Sequence, residues 1–373
     1  MKTPIPIRPV RIGLVGPLPP PSGGMANQTR QLARLLSEAG LGVSLVQVNA
    51  PYRPQWVGNL PVVRAFARLL PYTIHLWRTA ATVDLVHVMA NSGWAWHLFA
   101  APAIWVASLR GKPVIVNYRG GEAEGFFNKQ FRGVRPTLNR ASMIVVPSAF
   151  LEAVFAKWAV PTRIVPNIID LSRFHPAPPP GQVHLVVTRN LEDLYDIPTA
   201  IEAFALVRKR HPSARLTIAG SGPKRSDLEA MCARLGLADA VQFTGRLDNE
   251  RMAGLYQSAT LMLNPSLADN MPISLLEAMA SGVAIVSTNV GGIPYLARDG
   301  VTALLVAPKD PQAMANAALR LLDDPRLATR LREAGLSEVQ QYAWDHVRGR
   351  LFDVYAQALQ IDSLFAPARS IAR

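Results

Sequence analysis

Apolar residues recur along the chain in short, nearly continuous runs, separated by longer stretches with helical spacing. Residues 10–15 (VRIGLV), 43–48 (VSLVQV), 84–88 (DLVHV), 113–117 (PVIVN) and 143–146 (MIVV) predict strands. Runs without polar alternation fit parallel strands covered on both faces. Between them, 27–39, 62–81 and 94–109 predict helices. Such alternation implies a doubly wound parallel sheet. The pattern halts at 174–181 (FHPAPPPG), where dense proline favours a stiff, extended connection. It restarts with predicted strands at 184–188, 215–219, 241–244, 260–264, 283–287 and 303–306, and a helix at 199–210. Ser226 and Glu229 have the spacing of a capping box that opens a further helix. An amphipathic helix over 344–360 follows the second sheet.

The expectation is therefore an α/β chain of two Rossmann-like domains, 1–174 and 175–343, with 344–373 packing back towards the first. Ligands of open α/β sheets bind at the carboxyl ends of the strands. The cleft between two such domains is the expected site.

Composition agrees and removes other classes. With 373 residues, 49% hydrophobic and 17% charged, the chain has the apolar material for two cores, which excludes disorder as its main state. The single cysteine, Cys232, excludes a disulfide framework and a thiolate zinc site, and fits a reducing cytoplasm. Residues 1–9 hold three prolines and no apolar core of a secretory leader. The apolar run 94–109 is interrupted by His97 and Pro102 and falls short of the ~20 residues that cross a bilayer. The net charge of +13 lies in the first half: residues 1–175 carry 19 Lys and Arg against 6 Asp and Glu, and the remainder balances at 20 each. That half attracts anions over long range.

The chemistry concentrates in 264–282 (NPSLADNMPISLLEAMASG). A strand ends in Asn-Pro-Ser, a polar loop follows, and a helix starts near Pro272. Asp269 lies in the loop, and Glu277 lies eight residues on, inside the helix. Helical side chains lean towards the N-terminus, so both carboxylates can face one cleft. A helix start there favours an anion such as phosphate. The same spacing also fits Asp269 as a helix cap with Glu277 in a surface ion pair. Arg189 ends the first strand of the second half, and a guanidinium fork suits a diphosphate. No Asp-x-Asp triplet or His/Cys cluster occurs, so no metal is expected. No nucleic-acid recognition module is present either. His87, on an apolar strand, fits a satisfied core residue.

The 264–282 segment resembles the acidic E-x7-E signature of the retaining glycosyltransferases of family 4, with Asp269 and Glu277 in the two acidic positions. The flanks agree with that family in order: Val165-Pro166-Asn167, Gly220-Ser221-Gly222-Pro223, Gly291-Gly292-Ile293-Pro294 and Tyr342-Ala343-Trp344. The resemblance implies a GT-B fold. It also implies a nucleoside-diphosphate sugar held by the second domain and a glycan or lipid-linked acceptor held by the first. By the same resemblance Glu277 meets the donor ribose, and Asp269 with the backbone of Asn270, Met271 and Pro272 holds sugar and phosphate. Arg189 then clamps the diphosphate, Gly220 and Gly222 admit the nucleotide, and Gly23 and Gly24 form the loop towards phosphate and acceptor.

Three departures from the family stand out. Asp269 replaces Glu and is shorter by one methylene. Residues 190–196 (NLEDLYD) lack the lysine that accompanies the arginine. Arg119 stands where many relatives have a catalytic His, and is assigned here to phosphate, with Glu122 or Glu124 near an acceptor hydroxyl. Rival readings are a GT-B-fold epimerase or phosphorylase and a non-catalytic nucleotide-sugar-binding protein. A phosphorylase needs a pyridoxal-bearing lysine, and Lys209, Lys224 and Lys309 match no such setting.

The first half interleaves Trp56, Arg64, Phe66, Arg68, Tyr72, Trp77 and Arg78, and then Trp94, Trp96 and Trp105. Such helices can lie on an anionic membrane, which would make the protein peripheral on the inner face of the cytoplasmic membrane. The other reading packs the tryptophans in the core and leaves the arginines solvated.

Overall fold

The computed structural model describes residues 9–20, 23–51, 61–178 and 181–365, without the side chains of 61–66. The readings made on residues 1–8, Trp56, the side chains of Arg64 and Phe66, and Pro179 and Pro180 lie outside the described residues.

The chain divides into two units, one of residues 1–168 with 344–373, the other of 169–343. The first unit runs β1 (Arg11–Gly16), α1 (Gly24–Glu38), β2 (Gly42–Gln47), α2 (Pro61–Thr82), β3 (Leu85–Ala90), α3 (Ala101–Leu109), β4 (Val114–Tyr118), α4 (Ala123–Leu138), β5 (Met143–Val146), α5 (Ala149–Ala156) and β6 (Arg163–Ile164). The second runs β7 (His184–Val187), α6 (Ile197–Arg210), β8 (Arg215–Ala219), α7 (Arg225–Arg234), β9 (Val241–Gly245), α8 (Asn249–Gln257), β10 (Leu261–Asn264), α9 (Ile273–Ala280), β11 (Ala284–Thr288), α10 (Ile293–Leu296), β12 (Leu304–Val306), α11 (Pro311–Asp323) and α12 (Pro325–Val339). The chain then returns to the first unit as α13 (Trp344–Leu359).

Each unit contains one six-stranded parallel sheet, ordered β2-β1-β3-β4-β5-β6 in the first and β12-β11-β10-β7-β8-β9 in the second. Helices cover both faces, which is why the central strands are apolar on both sides. In the first unit α2 to α5 cover one face, and α1 and α13 cover the other, where Val347, Leu351 and Tyr355 pack with Ile12, Leu14 and Leu36. In the second, α6, α7 and α11 cover one face and α8, α9 and α10 the other.

The division between the units precedes the proline run. Ile168 packs in the first unit, whereas the Ile169 amide donates to the Tyr342 carbonyl (3.0 Å) and Phe174 is buried in the second unit's core. Residues 169–174 thus belong with the second unit, because their apolar side chains find their cover there. Two local expectations are also corrected. Helix α7 begins at Arg225 with Lys224 in the N-cap position, so Ser226 lies inside the helix and caps nothing; the Lys224 amide is taken by the Leu191 carbonyl (3.1 Å), which fixes the start two residues early. The single helix expected over 94–109 contains a π-helical turn, Trp96–Ala100, with Pro102 in the first turn of α3, where its missing N–H costs little.

Candidate functional site

In the second unit the chain lays down β7, β8 and β9 in one direction and then crosses to place β10 on the other side of β7. The loops leaving β7 and β10 therefore diverge, opening a crevice at the carboxyl ends of these two strands, the place where open α/β sheets take ligands. Arg189 leaves β7 and Asp269 leaves β10. The guanidinium and carboxylate meet across the crevice, Arg189 Nη2 donating to Asp269 Oδ2 at 2.5 Å, with only 10% and 15% of the side chains exposed. Arg189 Nε donates to Asn264 Oδ1 at 2.7 Å, and the guanidinium lies 5.3 Å from the Tyr195 ring centroid.

Asn264 is held in turn. Its amide donates to Ser287 Oγ (2.8 Å), and its carbonyl oxygen also accepts from Ser266 Oγ (3.0 Å). Thr288 Oγ1 donates to the Ser266 carbonyl (2.6 Å). Four buried polar side chains at the ends of β10 and β11 thus fix the direction of Arg189. Nothing in the sequence marks Asn264 for this task, since an Asn at a strand end is an ordinary turn residue; only the neighbouring strand supplies its partners.

Two glycine pairs set the loops at close range. A Cβ at Gly220 would sit 1.9 Å from the Arg189 carbonyl oxygen, and one at Gly222 would sit 2.3 Å from that of Leu191. The close approach at Gly220 and Gly222 is thus to backbone, with the Leu191 amide donating to the Ser221 carbonyl (3.2 Å). Across the crevice, a Cβ at Gly291 would sit 2.1 Å from the Asp269 carbonyl oxygen and one at Gly292 would sit 1.9 Å from that of Asn270. The Gly292 amide donates to the Asp269 carbonyl (2.9 Å), and Gly291 has φ of 55°, where side chains are strained. The Leu267 amide donates to the Leu194 carbonyl (2.8 Å), tying the β10 loop to the β7 loop.

Asn270, Met271 and Pro272 are buried, Pro272 as the N-cap of α9, where the first backbone N–H groups of a helix lack partners within it. Glu277 sits in the second turn of α9. Burial pushes its carboxyl up to about 7, against the opposing pull of the Tyr256 hydroxyl and the charge of Arg189. Tyr256 itself is fully buried, with Thr188 Oγ1 at 2.7 Å, and donates to the Ser274 carbonyl (3.1 Å). Arg189, Asp269 and Glu277 therefore gather at one place, where Arg189 faces two carboxylates of different environment: one paired with it, the other desolvated.

Arg119 belongs to the first unit. It donates through Nε to Asn117 Oδ1 (3.1 Å) and through Nη1 to Asn167 Oδ1. Burial lowers its guanidinium to about 10, which still leaves it charged at neutral pH. Asn117 Nδ2 meets His87 Nε2 (3.1 Å), and His87 Nδ1 meets the Tyr355 hydroxyl of α13 (2.8 Å). Because the Asn117 oxygen faces Arg119, its amide nitrogen is the donor to His87, so the His87 proton sits on Nδ1 and goes to Tyr355. Burial, then the charge of Arg119, pushes His87 down to about 3, so the ring is neutral. His87 is a satisfied core residue. Glu124 pairs with Lys157 (2.5 Å), and Glu122 is the N-cap of α4, with no side-chain hydrogen bond to it. Gly23 caps α1 and Gly24 starts it, and a Cβ at either meets nothing within 4 Å. Among the described residues no three His, Cys, Asp or Glu side chains group to hold a metal ion, and no helix is long and apolar enough to cross a membrane.

Comparison with known proteins matches both halves. Residues 169–337 fit the family model for glycosyl transferases group 1, and residues 22–173 fit that for glycosyltransferase family 4. A D-inositol 3-phosphate glycosyltransferase of Streptomyces griseus is 35% identical over 168 residues, 43% of this chain and 36% of the relative. The chain thus aligns with little more than a third of the length of such relatives. A glycogen synthase of Mycobacterium tuberculosis is 28% identical over 314 residues, 80% of this chain and 73% of its own. Among solved structures, sucrose-phosphate synthase of Thermosynechococcus elongatus superposes with a TM-score of 0.73 at 24% identity, covering 93% of this chain and 98% of the other. Anabaena HepE in complex with UDP-glucose gives 0.71 at 17% identity, over 92% and 99%. The fold is that of these two-domain GT-B proteins.

Proposed function

Because the chain belongs to the group 1 glycosyl transferases, we propose that it moves a sugar, with retention, from a nucleoside diphosphate to a hydroxyl of a glycan or lipid-linked acceptor. The observation that carries this reading is the Arg189–Asp269 pair at the β7/β10 crevice, backed by Glu277 and gripped by two glycine pairs. A guanidinium already oriented by Asn264 is preorganised for the diphosphate that departs, and needs no rearrangement as charge builds there. Glu277 accepts hydroxyls of the donor ribose in its ionised form, and the Asn270-Met271-Pro272 backbone faces sugar and phosphate.

In this reading the bond between the anomeric carbon and the phosphate oxygen breaks as the acceptor oxygen bonds to the same carbon from the same side. The acceptor proton passes to a phosphate oxygen. No protein base is then required, which agrees with His87 being a neutral core residue and with Arg119 in the usual His position. Residues 190–196 supply no companion lysine, so Arg189 shares the departing charge with backbone N–H groups or with a cation from elsewhere in the chain. We assign no metal to the reaction and place it in the cytoplasm, in envelope or exopolysaccharide synthesis. HepE, with UDP-glucose in its structure, makes uridine donors the first to try.

The test is nucleotide release from a panel of UDP-, GDP- and ADP-sugars with acceptor extracts, with and without a chelator. Release that needs Arg189 and Glu277 and survives chelation supports the reading; loss of release with chelator overturns its metal-free part. The missing lysine favours one second reading, a donor-binding protein without turnover. Donor binding without release under every acceptor condition would decide for it.

A further inference from the structure

We infer that the outer faces of α2 and α3 form a docking surface for an anionic lipid bilayer. The inference rests on the first unit alone and does not depend on the donor reading. One side of α2, with Tyr72, Leu76 and Ala80, is buried in the core. The other shows Leu70, Ile74 and Trp77, spaced four and three residues apart and so on one stripe of the helix. Leu70 is 64% exposed and Trp77 43%. On α3, Trp105 and Leu109 are one turn apart, and Leu109 is 67% exposed. The two helices are joined at this surface. Arg110, the C-cap of α3, lays its guanidinium over the Trp77 ring at 4.0 Å. At the far side Arg140 stacks on the Trp105 ring at 3.6 Å, and Trp105 Nε1 donates to Thr137 Oγ1 (3.0 Å).

Scattered exposed apolar residues are ordinary, but large ones gathered on two packed helices mark an interface. Charge identifies what covers this one. Neither α2 nor α3 contains an Asp or Glu, and the cations at hand are Arg78, Arg110, Lys112 and Arg140. Apolar rings carrying stacked guanidinium groups suit the boundary between acyl chains and headgroups: the rings enter, and the arginines meet lipid phosphates. The positive excess of the first half draws the same face towards an anionic leaflet.

The test is sedimentation of the full chain with extruded vesicles of phosphatidylcholine alone or with phosphatidylglycerol added. Partition onto the anionic vesicles should exceed that onto neutral ones by about tenfold or more and fall with added salt. Trp77→Ser combined with Leu109→Ser should lower it about tenfold, as should Leu70→Gln paired with Arg78→Gln, which keeps the Trp77–Arg110 stack. Circular dichroism and UDP binding by the second unit should stay at wild-type values in both variants, which separates failure of this inference from failure of the donor site. Equal partition onto neutral vesicles, or partition undiminished in folded variants, overturns the inference. So does a dimer in sedimentation velocity that these variants split, because a second copy of the chain would then own the face.

Discussion

Replacing Gly220 by alanine tests whether the site depends on the spacing of two backbones. The new Cβ would stand 1.9 Å from the Arg189 carbonyl oxygen and 2.8 Å from the carbonyl carbon. Real Cβ atoms essentially never come within 3.0 Å of such atoms, and neither neighbour is a side chain that can swing aside. The β7 and β8 loops must therefore part by roughly 1 Å, and Arg189 moves with its own carbonyl. Its 2.7 Å bond to Asn264 and 2.5 Å bond to Asp269 then stretch to the limit of hydrogen bonding. A misplacement of about 1 Å in a positioning group costs on the order of a hundredfold in rate, so nucleotide release should fall by about that factor. The overpacking should also cost about 1–3 kcal/mol of stability. The assay is release from the best donor of the panel, with the thermal midpoint measured in parallel. Gly254→Ala, in α8 with nothing within 4 Å of the new methyl, is the control and should leave the rate unchanged. A Gly220→Ala protein with the wild-type midpoint and a rate within about threefold of wild type would refute the reasoning.

Asp269→Asn should strip the buried partner from Arg189 at a cost of about 3–5 kcal/mol, and UDP, by supplying new anions, should raise the variant's thermal midpoint more than the wild type's. Glu277 holds a proton in the folded chain between its ordinary carboxyl value of 4.5 and about 7, where the unfolded chain has lost it. Folded stability should therefore fall as pH rises across that window, by at most about 3 kcal/mol, and Glu277→Gln should be more stabilising at pH ~8 than at pH ~5 in thermal melts. Donor affinity should rise over the same window in titration calorimetry, since the carboxylate accepts ribose hydroxyls at both oxygens and more strongly than the neutral carboxyl, and Glu277→Gln should flatten that rise. Tyr355→Phe should leave the His87 Nδ1 proton without its partner and cost about 1–3 kcal/mol, with UDP affinity unchanged.

The parallel sheets were legible because burial on both faces writes itself as uninterrupted apolar runs: 143–146 and 215–219 coincide with β5 and β8, and the other expected strands lie within two residues. Strand β6 escaped because it is a two-residue edge pairing with no run to read. The helix start at Arg225 escaped because a distant carbonyl, that of Leu191, decides it against a local capping pattern. At the site, Arg189, Asp269 and Glu277 were visible as charged residues at strand ends and a helix start. Asn264 was not, for its partners on β11 are adjacent only once the sheet forms. The glycine pairs looked like turns. Their crowding against the backbones of Arg189, Leu191, Asp269 and Asn270 is a property of packed loops, which spacing along one strand cannot express.

That α13 belongs to the first unit gives the chain an order of assembly. The second unit leaves and re-enters at neighbouring points, Ile169 and Ala343, which form a parallel bridge. It is thus a cassette with its two ends stitched together, and it can be excised without cutting through its own core. The first unit has no such independence. While the ribosome makes the 175 residues of the cassette, the surface of Ile12, Leu14 and Leu36 that awaits Val347, Leu351 and Tyr355 lacks part of its cover. Its greasy flank is sealed only as the final helix emerges, so the half born first is finished last.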